Sequence, residues 1–163
     1  MRILLIRLRL IGDVVFTTPV VRALRRRYPR AHLAYLVEPH AAPVVAANPH
    51  LDEVIVAAAP AARGRALADL ALMRRLRRSR FDVVLDLHGG PRAAVLATMT
   101  GARRRIGYTI AGRGWMYTDR VPRPRELRPR HSVENQWDLL GPLGFGPPDP
   151  EQDPTEMPAL PEA

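Results

Sequence analysis

Short apolar runs alternate with helix-like stretches along most of the chain, and this order restricts its fold more than any other feature. Residues 3–8, 32–37, 53–56, 81–87 and 105–108 read as strands. Residues 17–28, 40–47, 65–79, 92–100 and 132–140 read as helices. The strand runs are nearly continuous in apolar residues, as in strands buried on both faces. A repeated strand-then-helix order predicts an α/β fold, a Rossmann-like parallel sheet with helices on both faces and right-handed crossovers. Residues 109–130, with three prolines, read as a long irregular loop. Ser132 is the expected cap of the helix after it.

In such sheets ligands bind beyond the carboxyl ends of the strands. The first strand leads into Arg9-Leu10-Ile11-Gly12-Asp13, a tight turn that delivers a carboxylate to that edge. Asp13 has two readings. It can take a proton from a reacting hydroxyl, or it can cap the following helix through its first-turn N–H groups. The two roles are compatible, because a helix N-terminus favours the ionised carboxylate. Gly12 lacks the spacing of a dinucleotide fingerprint, and no P-loop lysine follows.

Composition removes several function classes. There is no cysteine, so neither a disulfide framework nor a thiolate metal site can form. The five histidines are scattered, and no metal is expected. The two serines, Ser79 and Ser132, sit in no Gly-x-Ser-x-Gly elbow, which excludes a hydrolase of that type. No apolar run approaches the ~20 residues of a spanning helix, and no signal peptide precedes the first strand. The implied compartment is the cytoplasm, with room for peripheral attachment at the inner face of the inner membrane. The chain carries 25 basic residues, all arginine, against 16 acids, for a net charge of +9. Such an excess attracts anionic partners: nucleic acid, phosphorylated sugars or an acidic lipid surface. Nucleic acid is not expected, because the arginines are spread, no recognised motif appears and aromatics are 6%.

Several other residues are candidates for the ligand side. Arg63 and Arg65 follow the third strand, and Arg92 opens the helix after His88-Gly89-Gly90. Arg105 ends a run of three arginines entering the fifth strand, and His131 stands before a helix. Arginine forks suit phosphate and carboxylate, while a solvated surface is the plain alternative for each. The His88 turn can bring backbone close to a sugar or phosphate, or be a simple connection.

With these residues in place, the chain resembles the N-terminal domain of the ADP-heptose:lipopolysaccharide heptosyltransferases, glycosyltransferase family 9. Five stretches carry the likeness: Ile3 through Pro19, Tyr35 through Pro39, Asn48 through Val54, Phe81 through Gly89 and Thr100 through Tyr108. His131-Ser132-Val133-Glu134-Asn135 also fits. The match runs over about residues 1–145. It implies the N-terminal half of a GT-B glycosyltransferase that transfers heptose from ADP-heptose to an anionic lipopolysaccharide inner-core acceptor, with inversion and without a metal or other cofactor. Asp13, closing the motif that begins at Arg7, is then the implied general base. Arg9, Gly12, Arg63, Arg65, His88, Arg92, Arg105 and His131 are the candidate acceptor contacts. Many relatives carry small residues where this chain has Arg9-Leu10-Ile11.

Seven of the 17 prolines fall in the last 22 residues. Residues 146–163 therefore read as an extended linker. By the resemblance it leads toward a C-terminal domain that holds the nucleotide-sugar donor. In that case the chain alone is not expected to turn over. The competing reading is a non-catalytic anion- or nucleotide-binding Rossmann-like module.

Overall fold

A computed structural model describes residues 1–59, 63–123 and 132–155. Six strands form one sheet: β1 (Arg2–Ile6), β2 (His32–Val37), β3 (Glu53–Val56), β4 (Val83–Asp86), β5 (Arg104–Tyr108) and β6 (Asp119–Val121). Every pairing is parallel, in the order β3-β2-β1-β4-β5-β6. The strand order reverses between β1 and β4. That reversal opens the crevice in which doubly wound sheets bind ligands.

Alternation along each strand builds two cores. Ile3 and Leu5 point to one face with Leu33, Tyr35 and Leu85; Leu4 and Ile6 point to the other with Leu36 and Val84. The first face is covered by α1 (Ile11–Val15), α2 (Thr18–Arg27), α3 (Ala42–Ala46) and the end of α6 (Ser132–Trp137). The second is covered by α4 (Arg65–Arg78), through Leu72 and Leu76, and α5 (Pro91–Met99), through Ala93, Leu96 and Ala97. Helices thus cover both faces of a parallel sheet, as the strand-then-helix order predicts.

Four local expectations are corrected. The helix expected over 17–28 is α2, but the expected turn before it forms a five-residue helix of its own, α1, and Asp13 lies inside its first turn. The residue at its N-cap is Leu10, whose side chain makes no cap bond, so Asp13 is not the cap. The proline-containing loop over 109–130 contains the short edge strand β6 and a 3₁₀ turn over Gly114–Met116. Finally, the described part of 146–163 is not extended. Asp149 caps a turn through its bond from Glu151 N, and Asp153 is buried. Arg26 grips Asp153 with two bonds of 2.5 and 2.8 Å, and Trp137 Nε1 donates to the Gly146 carbonyl at 2.7 Å.

Ser132 is the first residue of α6 itself rather than its cap, so the cap position falls on residue 131, outside the described residues.

Candidate active site at the strand-order reversal

The chain leaves β1 through Arg7 and Leu8 and turns sharply at Leu10. Leu10 has φ +69°, an uncommon conformation for a residue with a Cβ. Its carbonyl accepts from Val14 N at 3.0 Å, which starts α1 and brings Asp13 back over the strand end. Arg7 meets it there. Its Nη2 donates to Asp13 Oδ2, and its Nη1 donates to the Leu87 carbonyl at 2.6 Å. The guanidinium therefore ties the end of β1 to the end of β4 and fixes one carboxylate oxygen. Asp13 Oδ1 makes no hydrogen bond among the described residues.

Around this pair lies a cavity of about 240 Å³, lined by Arg7, Asp13, Leu87, Tyr108, Arg123, Asn135 and Gln136. Among the described residues Asp13 is the single acid in that lining. Arg7 Nε, Asn135 Oδ1 and Gln136 Oε1 are buried polar atoms with no hydrogen-bond partner among the described residues. Buried polar groups usually have partners, so three unpaired ones around one cavity mark a place built for a polar ligand. Tyr108 OH donates to the Asn135 carbonyl at 2.5 Å and holds α6 against the site. The Arg123 guanidinium lies over the Tyr108 ring, 5.3 Å from its centroid.

The floor is a second network. Asp86, the last residue of β4, is fully buried. Its Oδ1 accepts from the amides of His88 and Gly89 at 2.9 and 2.8 Å, and its Oδ2 accepts from Tyr117 OH at 2.5 Å. Burial raises the Asp86 carboxyl above the ordinary range, against the lowering effect of these three donors. Gly89 has φ +69°, which the tight return of this turn requires. Gly107 is needed for another reason. A Cβ there would stand 2.5 Å from Tyr117 Cζ and 2.6 Å from its Cδ1. The missing side chain lets the Tyr117 ring cross β5 and reach Asp86. His88 is half-buried on this turn with Nδ1 unpartnered. Burial, then the charges of Arg7 and Arg9, push its pKa down to about 4. It is a neutral imidazole at pH 7 in a field set by arginines.

Residues 70–158 match the sequence model of glycosyltransferase family 9 (heptosyltransferase). The chain belongs to this family. Lipopolysaccharide heptosyltransferase 3 of Escherichia coli is 27% identical over 144 residues, covering 84% of this chain and 41% of the relative. A glycosyl transferase family 9 crystal structure from Veillonella parvula superposes with a TM-score of 0.78 at 26% identity, covering 88% of this chain and 41% of that one. E. coli heptosyltransferase WaaC, solved with ADP-2-deoxy-2-fluoro heptose, gives a TM-score of 0.75 at 21% identity, over 91% of this chain and 50% of that one. The α/β sheet thus matches GT-B glycosyltransferase structures. The family 9 chain spans about two fifths of the length of the curated relative it matches.

The sequence-derived candidates separate once placed on this domain. Asp13 lines the cavity. Arg9 is exposed on the β1–α1 loop, close enough for its charge to act on His88. Gly12 is exposed in α1, with open space where a Cβ would point. Arg63 is exposed before α4, and Arg65 opens α4 with its Nε 4.0 Å from Asp69 Oδ2.

Two candidates are structural instead. Arg92 donates to buried Glu38 at 2.8 Å, to Asp69 at 2.6 Å and to the Ala58 carbonyl at 2.8 Å, so its fork is consumed in joining β2, α4 and α5. Arg105 donates to the Met116 and Ala102 carbonyls at 2.8 and 2.7 Å, toward the opposite edge of the sheet. His131 lies outside the described residues. Tyr108, Asn135 and Gln136 were not expected to line the site. Gln136 had a signal: it is a buried amide beside Trp137 in a short helix.

Proposed function

We propose that this chain is the acceptor-side half of an inverting glycosyltransferase that moves heptose from ADP-heptose to a lipopolysaccharide inner-core hydroxyl, with Asp13 as the general base. One observation carries the reading: among the described residues Asp13 is the sole acid lining the cavity, with Oδ2 held by Arg7 and Oδ1 without a hydrogen bond. The acceptor hydroxyl gives its proton to Oδ1 as its oxygen attacks the anomeric carbon. The bond to the ADP oxygen breaks, and ADP leaves with the electron pair. One displacement inverts the configuration. Asp86 offers no second nucleophile, because both its oxygens are engaged and it is buried.

The other parts of the reading rest on chemistry and likeness. Arg7, Arg9 and Arg123 make the cavity electropositive, which suits an acceptor bearing phosphate and carboxylate. Arg9, Gly12 and His88 are the further acceptor contacts of this reading. A relative crystallised with an ADP-heptose analogue supports that donor. The transfer needs no metal in this reading, as the family likeness implies. In this reading residues 1–145 are the acceptor domain and 146–163 lead toward a donor-binding domain, working at the cytoplasmic face of the membrane that holds the acceptor.

The test is transfer from ADP-heptose to an inner-core acceptor by a two-domain protein containing this chain. We expect an inverted linkage formed at the same rate with and without EDTA, and no turnover by residues 1–163 alone. A retained linkage, or robust turnover by this chain alone, would contradict the reading. Anion binding by the two-domain protein without any transfer would favour a non-catalytic module.

A further inference from the structure

Much of the net charge of the chain is concentrated on one element. Residues 63–80 hold seven arginines and one aspartate, a net +6 of the total +9. They form α4 and its flanks. α4 buries only Leu72 and Leu76 fully in the core. At 100° per residue, Leu67, Leu70, Arg74, Arg77 and Arg78 fall on the side turned away from it. Leu67 is 74% exposed and Leu70 is 42% exposed. Met99, at the end of α5, adds a further exposed apolar side chain. Leu70, Met73 and Met99 line an open groove of about 470 Å³ whose remaining walls are Arg74, Arg77 and Arg78. The side chains of those three arginines make no ion pair or hydrogen bond among the described residues, although the Arg77 guanidinium rests against Gly101.

Little of this pattern serves the fold. Exposed leucines on a surface helix gain nothing from water, and arginines without an acid or carbonyl partner leave their charge unpaired. Together they suit a helix lying in a lipid interface, with apolar side chains in the acyl boundary and arginines reaching phosphate headgroups. A nucleic acid would use the arginines but not the leucines and methionines, and residues 63–80 contain no aromatic side chain to stack on bases. We propose that the outer face of α4, with the end of α5, docks on an anionic phospholipid bilayer. Leu67, Leu70 and Met99 insert, and Arg74, Arg77 and Arg78 contact headgroup phosphates. This surface is separate from the cavity at Asp13, and the inference stands whether or not the chain takes part in heptose transfer.

Flotation of the 163-residue chain with phosphatidylcholine vesicles, with and without one third phosphatidylglycerol, tests it. The chain should float with the anionic vesicles at low salt and weaken as salt rises. Each arginine near such a surface is worth about fivefold in partitioning. The triple variant Arg74→Gln, Arg77→Gln, Arg78→Gln should therefore lose roughly a hundredfold. Leu67→Ser with Leu70→Ser, arginines intact, should lose about tenfold or more. Circular dichroism should match the parent in both variants, because these side chains are exposed. Three results would each overturn the proposal: unchanged flotation of the triple variant, equal flotation with neutral vesicles, or binding to random duplex DNA that the arginine variant loses and the leucine variant keeps in place of any vesicle binding.

Discussion

Gly107→Ala should be among the most damaging single-methyl additions in this domain, and the reason lies 10 residues away at Tyr117. The new Cβ would overlap the Tyr117 ring, at 2.5–2.6 Å from Cζ and Cδ1. The ring cannot give way freely: Tyr117 is 3% exposed and its hydroxyl is bonded to fully buried Asp86. Overpacking a tight site costs ~1–3 kcal/mol. If the ring moves, a hydrogen bond to a carboxyl group is lost as well, about 1.5–3 kcal/mol. The expected total is about 3–5 kcal/mol. At ~2–4 °C per kcal/mol for a chain of this size, melting should fall by roughly 10 °C.

Urea unfolding of Gly107→Ala, Tyr117→Phe and Tyr117→Ala with the double variant Gly107→Ala/Tyr117→Ala measures this. Tyr117→Phe should show the hydrogen-bond share alone. Adding Gly107→Ala to Tyr117→Ala should cost under about 1 kcal/mol, because the clash has gone. A Gly107→Ala variant within about 0.5 kcal/mol of the parent would refute the argument that this glycine exists to admit the tyrosine.

Two further outcomes follow from buried charges. Arg92→Met should destabilise by ~3–5 kcal/mol in urea titration, because it strands the Glu38 carboxylate, 1% exposed, without its partner; the double variant Arg92→Met/Glu38→Gln should recover part of that loss. His88 has a depressed pKa of about 4, so the unfolded chain takes up its proton first as pH falls. Its contribution is therefore complete above the ordinary histidine value of 6.5 and is lost as pH falls from there toward 4. His88→Asn should flatten the urea midpoint against pH across that window, and an unchanged slope would contradict the assignment.

The sheet was legible because β1 to β4 are largely apolar runs bounded by turn residues, with β5 marked by Ile106 and Tyr108, and periodicity senses burial directly. β6 escaped for the same reason. It is three residues long, lies at the sheet edge and reads Asp119-Arg120-Val121, with Arg120 exposed. Asp13 was legible as a residue at the strand edge, but its geometry was not. Separating α1 from α2 turned an expected cap into an ion-paired carboxylate, and that depends on the backbone of Leu10 and on Arg7. The arginines were the least legible. Arg92 and Arg9 look alike in sequence, yet Arg92 finds Glu38 54 residues away and Arg9 faces solvent. Only tertiary contacts separate a structural fork from one open to a ligand. The cavity wall from α6 was hidden because it is brought in by packing across a long connection.

The central claim is that Asp13 Oδ1 receives the acceptor proton. It is tested most directly by transfer rates of Asp13→Asn in the two-domain protein, with melting temperature measured on the same samples. Asn keeps the shape and can still accept from Arg7, but it has no basic oxygen. The rate should fall by ~10²–10⁴. Asp13→Ala should lose as much rate, with no helix-cap penalty, because Asp13 makes no cap bond. Near-parental turnover by Asp13→Asn would contradict the account and leave the Arg7–Asp13 pair as a clasp between β1 and α1.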